Sequence, residues 1–147
     1  MNIRLFKPED AHACSEIIEE CFLNQNLGDF SKNIINNQIK DNSPEKLLEY
    51  LKDTKYFVAV KNNNIIGLGG YNKIKVRTLF VDMKYQNRGI GHKLLLTILE
   101  DARKNGLKKL FCWSTFFAES FYKKHGFIEK GETFFEADIE HKLMISE

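Results

Sequence analysis

The strongest constraint on this chain is a change of period at its centre. Before residue 55 the apolar positions recur at helical spacing: Ala11, Cys14, Ile17, Ile18, Cys21 and Phe22 mark one face. From Tyr56 onward the chain runs Tyr56-Phe57-Val58-Ala59-Val60, turns at Lys61-Asn62-Asn63-Asn64, and returns over residues 65–71 with Gly67, Gly69 and Gly70 in the strand. Asn tolerates left-handed backbone angles, which suits that turn. A second turn at Asn72-Lys73 leads into residues 74–81. Three strands joined by tight turns predict an antiparallel meander at the heart of the fold.

Helical segments flank the meander. Residues 3–6 read as an opening strand, and Pro8 with Glu9 and Asp10 suits a helix start. Residues 30–39 form a weaker helix, rich in Asn. Ser43-Pro44-Glu45 is a capped helix start, with Leu47, Leu48 and Leu51 on its buried side. After residue 81 a glycine loop precedes a helix over residues 89–105, whose core face is Leu94, Leu95, Ile98, Leu99 and Ala102, closed by Gly106. Residues 109–114 read as a strand, 117–125 as a short helix ended by Gly126, and 127–135 with 137–145 as a final hairpin. There is no repeat, low-complexity tract or linker, so residues 1–147 are expected to form a single α+β domain, a length usual for one domain.

The strand, glycine loop and helix at residues 79–91 form an anion site in principle. The first amides of a helix have no internal partners, and the helix dipole favours negative charge there. Gly89 and Gly91 allow a ligand close to the backbone. Lys84, Arg88, His92 and Lys93 lie in or beside the same turn, and a pyrophosphate would fit. The pattern lacks the Gly-Lys-Ser/Thr of a Walker loop. It also lacks the third glycine of the dinucleotide fingerprint, Leu94 standing in that place. By itself a pair of glycines can equally do no more than begin a helix.

The loop has company. Leu79-Phe80-Val81-Asp82, then Gln86-x-x-Gly89-x-Gly91 and Leu94-Leu95, resembles the signature of the GNAT superfamily of N-acetyltransferases. Further on, Ala118-x-x-Phe121-Tyr122-x-x-x-Gly126-Phe127 resembles the second motif of that family. The order of elements fits over nearly the whole chain: strand, two helices, meander, helix, strand, helix, hairpin. The resemblance implies a GNAT-like fold, with a mixed, mostly antiparallel central sheet, flanking helices and splayed central strands. It implies acetyl-CoA as co-substrate, its pyrophosphate on the loop amides of Gln86, Asn87, Arg88, Gly89, Ile90, Gly91 and His92. It places the pantetheine arm beside Leu79, Phe80 and Val81, with Val81 as the backbone contact. The Leu79 amide matches the donor to the thioester carbonyl, where such a donor stabilises the oxyanion. Tyr122 matches the general acid that protonates the departing thiolate, since a phenol stays protonated at neutral pH. Ala118 and Phe121 belong to the same cofactor-binding set.

Two positions depart from the family pattern. Thr115 stands where the second motif usually has Asn, so the usual amide contact is replaced by a hydroxyl. Lys75 stands where one branch of the family carries a glutamate base, and residues 74–81 hold no carboxylate. Deprotonation of the amine would then pass through water, with Ser114, Thr78, His125 or a backbone carbonyl at the far end, each of which also fits a structural role.

The rest of the sequence excludes more than it assigns. Lys84, Arg88, His92, Lys93, Lys123, Lys124 and His125 cluster near the two motifs and suit a phosphate-rich ligand, while Arg103, Lys104, Lys108 and Lys109 read as solvated surface. A formal net charge of +2 argues for neither nucleic acid nor membrane, and no aromatic-plus-basic nucleic-acid module is present. Cys14, Cys21 and Cys112 have no paired spacing, so reduced buried thiols and no metal site are expected. With no apolar run of membrane length and no signal-peptide pattern, a cytoplasmic protein is expected. The resemblance implies an acceptor pocket from Phe22, Asn24, Phe30, Phe116, Phe117, Phe134 and Phe135, any one of which also suits ordinary core. The acceptor itself, an amine of a small molecule or a protein, is not encoded legibly. A homodimer is the default the resemblance suggests. The competing readings are a non-catalytic acyl-CoA sensor on the same fold and an interaction domain without a ligand.

Overall fold

The computed structural model describes residues 1–25, 30–73, 75–114, 118–136 and 139–146; of Trp113, Glu132, 134–136 and 139–140 only the backbone is described. The chain begins with β1 (Asn2–Leu5), a 3-10 turn at Pro8–Asp10, then α1 (Ala11–Asn24), α2 (Lys32–Asp41) and α3 (Pro44–Tyr50). The meander follows as β2 (Lys55–Lys61), β3 (Asn64–Asn72) and β4 (Lys75–Val81). A second 3-10 turn, Met83–Tyr85, leads to α4 (Ile90–Lys104), β5 (Phe111–Ser114), α5 (Glu119–Lys124), β6 (Phe127–Glu136) and β7 (Ile139–Ser146). Three helices precede the meander, where the sequence placed three helical segments; the family order of elements names two.

Local sequence explains most of these boundaries. Ser31 and Ser43 cap α2 and α3, each hydroxyl accepting from the amide three residues on, at 3.3 Å in both cases. Asn62 and Asn63 both hold positive φ, 51° and 64°, as the β2–β3 turn requires. Asp10 closes the first turn. Both its oxygens accept from the Arg4 guanidinium (2.7 and 3.1 Å), and Oδ2 also accepts from the Lys7 amide. Burial alone would raise this carboxyl; the Arg4 and Lys7 hydrogen bonds outweigh it and hold the group below its usual range.

The described strands form one mixed sheet in the order β1-β2-β3-β4-β5-β7-β6, antiparallel throughout except for the parallel pair β4–β5. Each face carries its own apolar layer. On one, Cys14, Ile18 and Leu47 of α1 and α3 pack on Val58 and Leu68. On the other, Leu94, Leu95 and Ile98 of α4 pack with Ala59, Ile66, Cys112, Tyr122 and Phe127. The glycines of β3 let α4 lie directly on the strand. A Cβ on Gly67 would stand 3.2 Å from Leu94 Cδ1, and one on Gly69 would stand 3.0 Å from Ile98 Cδ1. The mainly antiparallel α+β architecture follows the sequence-based expectation.

Two irregularities in the centre of the sheet position the site. Gly70 pairs with Thr78 but Tyr71 pairs with Val76, so Arg77 is an extra residue, a β-bulge in β4. Beyond it β4 loses its parallel partner. Its pairing with β5 is confined to Lys75–Phe111 and Val76–Cys112, while all four residues of β5 pair with β7 on the other edge. The two central strands therefore diverge from residue 77 onward, as the family resemblance implied.

Candidate active site

The divergence of β4 and β5 opens a cleft of about 890 Å³ that runs from α4 at one end to α1–α3 at the other. The main chain of β4 is aimed into it. The Asp82 amide donates to Ile66 O at 2.8 Å, which makes 82–66 a hydrogen-bonded pair. Antiparallel pairs alternate, so Val81–Gly67 and Leu79–Gly69 are of the non-hydrogen-bonded kind. The amides and carbonyls of Leu79 and Val81 thus face away from β3, towards the side where β5 has departed. Leu79, Phe80 and Val81 all line the cleft.

At the loop the chain twists through two left-handed residues, Asn87 (φ 63°) and Gly89 (φ 81°). Gly89 is the N-cap of α4 and, unlike Ser31 and Ser43, offers no side chain to the helix. The first intrahelical bond is the Lys93 amide to Gly89 O, so the amides of Ile90, Gly91 and His92 precede it without helical partners. All three residues line the cleft, together with Gln86, Asn87 and Gly89. Arg88 does not; its guanidinium sits 5.4 Å from the Tyr85 ring. The Gln86 side chain does something the sequence did not reveal. Its Nε2 donates to Val81 O (3.0 Å) and to Gln25 Oε1 (2.9 Å), and Gln25 Nε2 donates back at 2.8 Å. Cys21 Sγ also reaches Val81 O at 3.4 Å. The Val81 carbonyl is thus engaged from the α1 side, and its amide faces away from β3.

α5 packs across the start of α4. A Cβ on Gly91 would meet the Phe121 ring at 3.6 Å and Val81 Cγ2 at 3.8 Å, ordinary contact distances, so packing alone does not demand glycine there. The Phe121 ring lies 4.5 Å from His125 and makes an edge contact with Tyr122. His125 Nδ1 donates to Phe121 O at 2.8 Å, and its Nε2 lies within hydrogen-bond reach of His92 Nδ1. Tyr122 is 8% exposed, sits in the α4-side core beside Cys112 and Phe127, and lines the cleft. Burial, with the neighbouring Cys112, pushes its phenol well above the usual value, so the hydroxyl is protonated at any physiological pH.

Of the residues expected in the coenzyme site, Leu79, Phe80, Val81, Gln86, Asn87, Gly89, Ile90, Gly91, His92, Ala118, Phe121 and Tyr122 come together around this cleft, whereas Thr115 lies outside the described residues. Of the acceptor set, Phe22 and Phe30 line the far end, and Asn24 is exposed and does not line it. Phe116 and Phe117, and the side chains of Phe134 and Phe135, are outside the described portion. Lys123 is not available to a phosphate in the way the sequence suggested: Glu119 (2.9 Å) and Glu129 (3.0 Å) neutralise it. Sequence reading missed Gln25, Tyr50 and Arg77, all on the cleft wall. The one legible hint was an arginine inside a central strand, and Arg77 is exposed there.

The three cysteines are buried and unpaired. Burial pushes the Cys14 and Cys112 thiols up to about 12 and Cys21 to about 11, so none is a ready nucleophile. Among the described residues no His, Cys, Asp and Glu group could hold a metal, and no helix is long and apolar enough to cross a membrane.

Known proteins share this fold. Residues 19–147 match the sequence profile of the Acetyltransferase (GNAT) domain. A GCN5-related N-acetyltransferase from Rhodopseudomonas palustris superposes with a TM-score of 0.88 at 19% identity, over 99% of this chain and 94% of that one. The PaiA N-acetyltransferase of Thermoplasma acidophilum, solved in complex with coenzyme A, gives 0.85 at 22% identity over 99% of both chains. A ribosomal-protein-alanine N-acetyltransferase from Brucella melitensis gives 0.74 at 18%, again over 99% of each. At these identities the superpositions speak for the fold, and the profile match, which spans most of the chain, speaks for the family: the chain belongs to the GNAT acetyltransferases.

Proposed function

We propose that this protein transfers the acetyl group of acetyl-CoA directly to an amine, with Tyr122 as the general acid and the Leu79 amide as the oxyanion donor. The observation that carries the reading is the main chain of β4: Leu79 and Val81 turn their polar groups into a gap where the sheet has no strand. An extended pantetheine arm has the amides to complete such an edge. The donor set at the adjoining helix start, the Ile90, Gly91 and His92 amides, fits a pyrophosphate. Acetyl-CoA supplies the activated thioester.

The chain's own groups then have distinct tasks. The Val81 amide fixes the arm, and the Leu79 amide donates to the acyl oxygen as it gains negative charge. Preorganised donors of this kind are worth a few kcal/mol at the transition state, roughly 10²–10³ in rate. Tyr122 Oη supplies a proton to the departing sulfur. Burial keeps the phenol protonated until the thiolate forms beside it. No carboxylate lies on β4, and the amine would lose its proton through water.

The test is release of free coenzyme A thiol over a panel of amines, run on the wild type and on Tyr122→Phe. Thiol release with at least one amine, and transfer slowed without loss of coenzyme affinity in the variant, is expected. Full turnover by Tyr122→Phe would remove that residue from the mechanism. Tight coenzyme binding with no thiol release from any amine would leave a non-catalytic acyl-CoA sensor.

A further inference from the structure

We propose that the acceptor amine carries a carboxylate on the same molecule, and that Arg77, stacked on Tyr50, is the subsite that holds it. The inference rests on the transferase reading above and names its substrate class.

The bulge in β4 is the starting point. In a regular strand side chains alternate between faces, and Val76 and Leu79 belong to the α4 layer. The extra residue breaks that alternation and re-aims Arg77. Its guanidinium carbon lies 4.2 Å from the centroid of the Tyr50 ring, so Arg77 stands on the α1–α3 face, at the end of the cleft away from the α4 loop. The ring is itself fixed, since Tyr50 Oη donates to Asp41 O at 2.9 Å. A guanidinium stacked on an aromatic face keeps the N–H groups of its edge, the planar fork that suits a carboxylate.

No ion pair engages Arg77 among the described residues, in contrast to Arg4, which Asp10 holds at 2.7 Å. Arg77 lines this end of the cleft, and Asp41, an exposed residue, is the one carboxylate among the described residues of the whole cleft. An amine with its own negative group would meet a partner in Arg77. Arg77 and Leu79 are two residues apart on β4, so the anchor and the acyl-oxygen donor share one element. Nearby, the buried Tyr56 hydroxyl is close to Thr78 and Arg77 but makes no hydrogen bond of good geometry.

The experiment measures thiol release at saturating acetyl-CoA with matched acceptors: amino acids, their carboxamides, phosphate-bearing amines such as phosphoethanolamine, and spermidine. The wild type is expected to favour carboxylates over the matching carboxamides by about tenfold or more in kcat/KM. Arg77→Met should raise KM for the carboxylate by a similar factor and erase the preference, with kcat and acetyl-CoA affinity little changed. Arg77→Lys should restore part of it, since charge remains but the fork is lost. Arg77 is exposed, and unchanged melting temperatures would exclude a folding effect. A preference for spermidine, the carboxamides or phosphoethanolamine overturns the carboxylate assignment, as does an unchanged ratio in Arg77→Met. Each of those results leaves the transferase reading standing. Absence of thiol release with every acceptor would instead remove the transferase reading, and this inference with it.

Discussion

At one end of the cleft the polar groups are main-chain: the amides of Ile90, Gly91 and His92, and the outward-facing Leu79 and Val81. At the other they are side-chain: Arg77 over Tyr50, with Lys75 and His141 on the same wall. The first kind of site needs permissive backbone, so it leaves glycines and fixed spacings in the sequence. The second needs only that distant side chains meet after folding, and it leaves almost no trace in one chain.

Four substitutions press on that contrast. The largest effect is expected where the two ends meet. Tyr122→Phe should cost about 10² or more in kcat, with acetyl-CoA affinity unchanged by calorimetry; an equal loss of affinity would mean that the hydroxyl binds the coenzyme rather than acting as the acid. Next comes a control outside the cleft. Asp10→Asn should remove about 2 kcal/mol of stability through its charged hydrogen bonds to Arg4 and Lys7, while activity per folded molecule is kept. Its carboxyl is held below the ordinary value, so the stability it gives is full above that ordinary value, near pH 4, and disappears as pH falls through the lowered one. Acid unfolding followed by circular dichroism should therefore be steeper in the wild type than in Asp10→Asn.

A methyl group at the helix start tests the backbone end. Gly91→Ala introduces a Cβ at ordinary distance from Phe121 and Val81, so the melting temperature should hold while acetyl-CoA affinity drops by about tenfold, or 1.4 kcal/mol. Unchanged affinity would mean that the coenzyme does not approach that backbone. The smallest effect is expected at Lys123. Glu119 and Glu129 already neutralise it, so Lys123→Gln should alter acetyl-CoA affinity by less than about twofold. A large loss would show that its charge reaches the phosphates.

Particular residues explain what the sequence disclosed. The meander was legible because Asn62-Asn63 and the two-residue period are local signals. The α4 end of the cleft was legible because Gly89 and Gly91 sit at a strand–helix junction. The bulge was not, since an extra residue in β4 becomes visible only against the register of β3, with Tyr71 opposite Val76 and Gly70 opposite Thr78. Arg77 therefore read as one more strand residue. Lys123 misled for the opposite reason. Its position in the motif suggested a phosphate contact, and its two carboxylate partners come from α5 and from β6 across a turn. The Gln25–Gln86 pair joins residues sixty-one positions apart, beyond any local pattern.

The claim that most needs testing is that main-chain amides receive the coenzyme, and amide chemical shifts report on them directly. In a titration of the isotope-labelled protein with acetyl-CoA, the amides of Leu79, Val81, Ile90, Gly91 and His92 should move most, with those of Arg4, Asp10 and the β1–β2 edge unmoved. Saturating shifts confined to other elements, with those five amides still in place, would contradict the account.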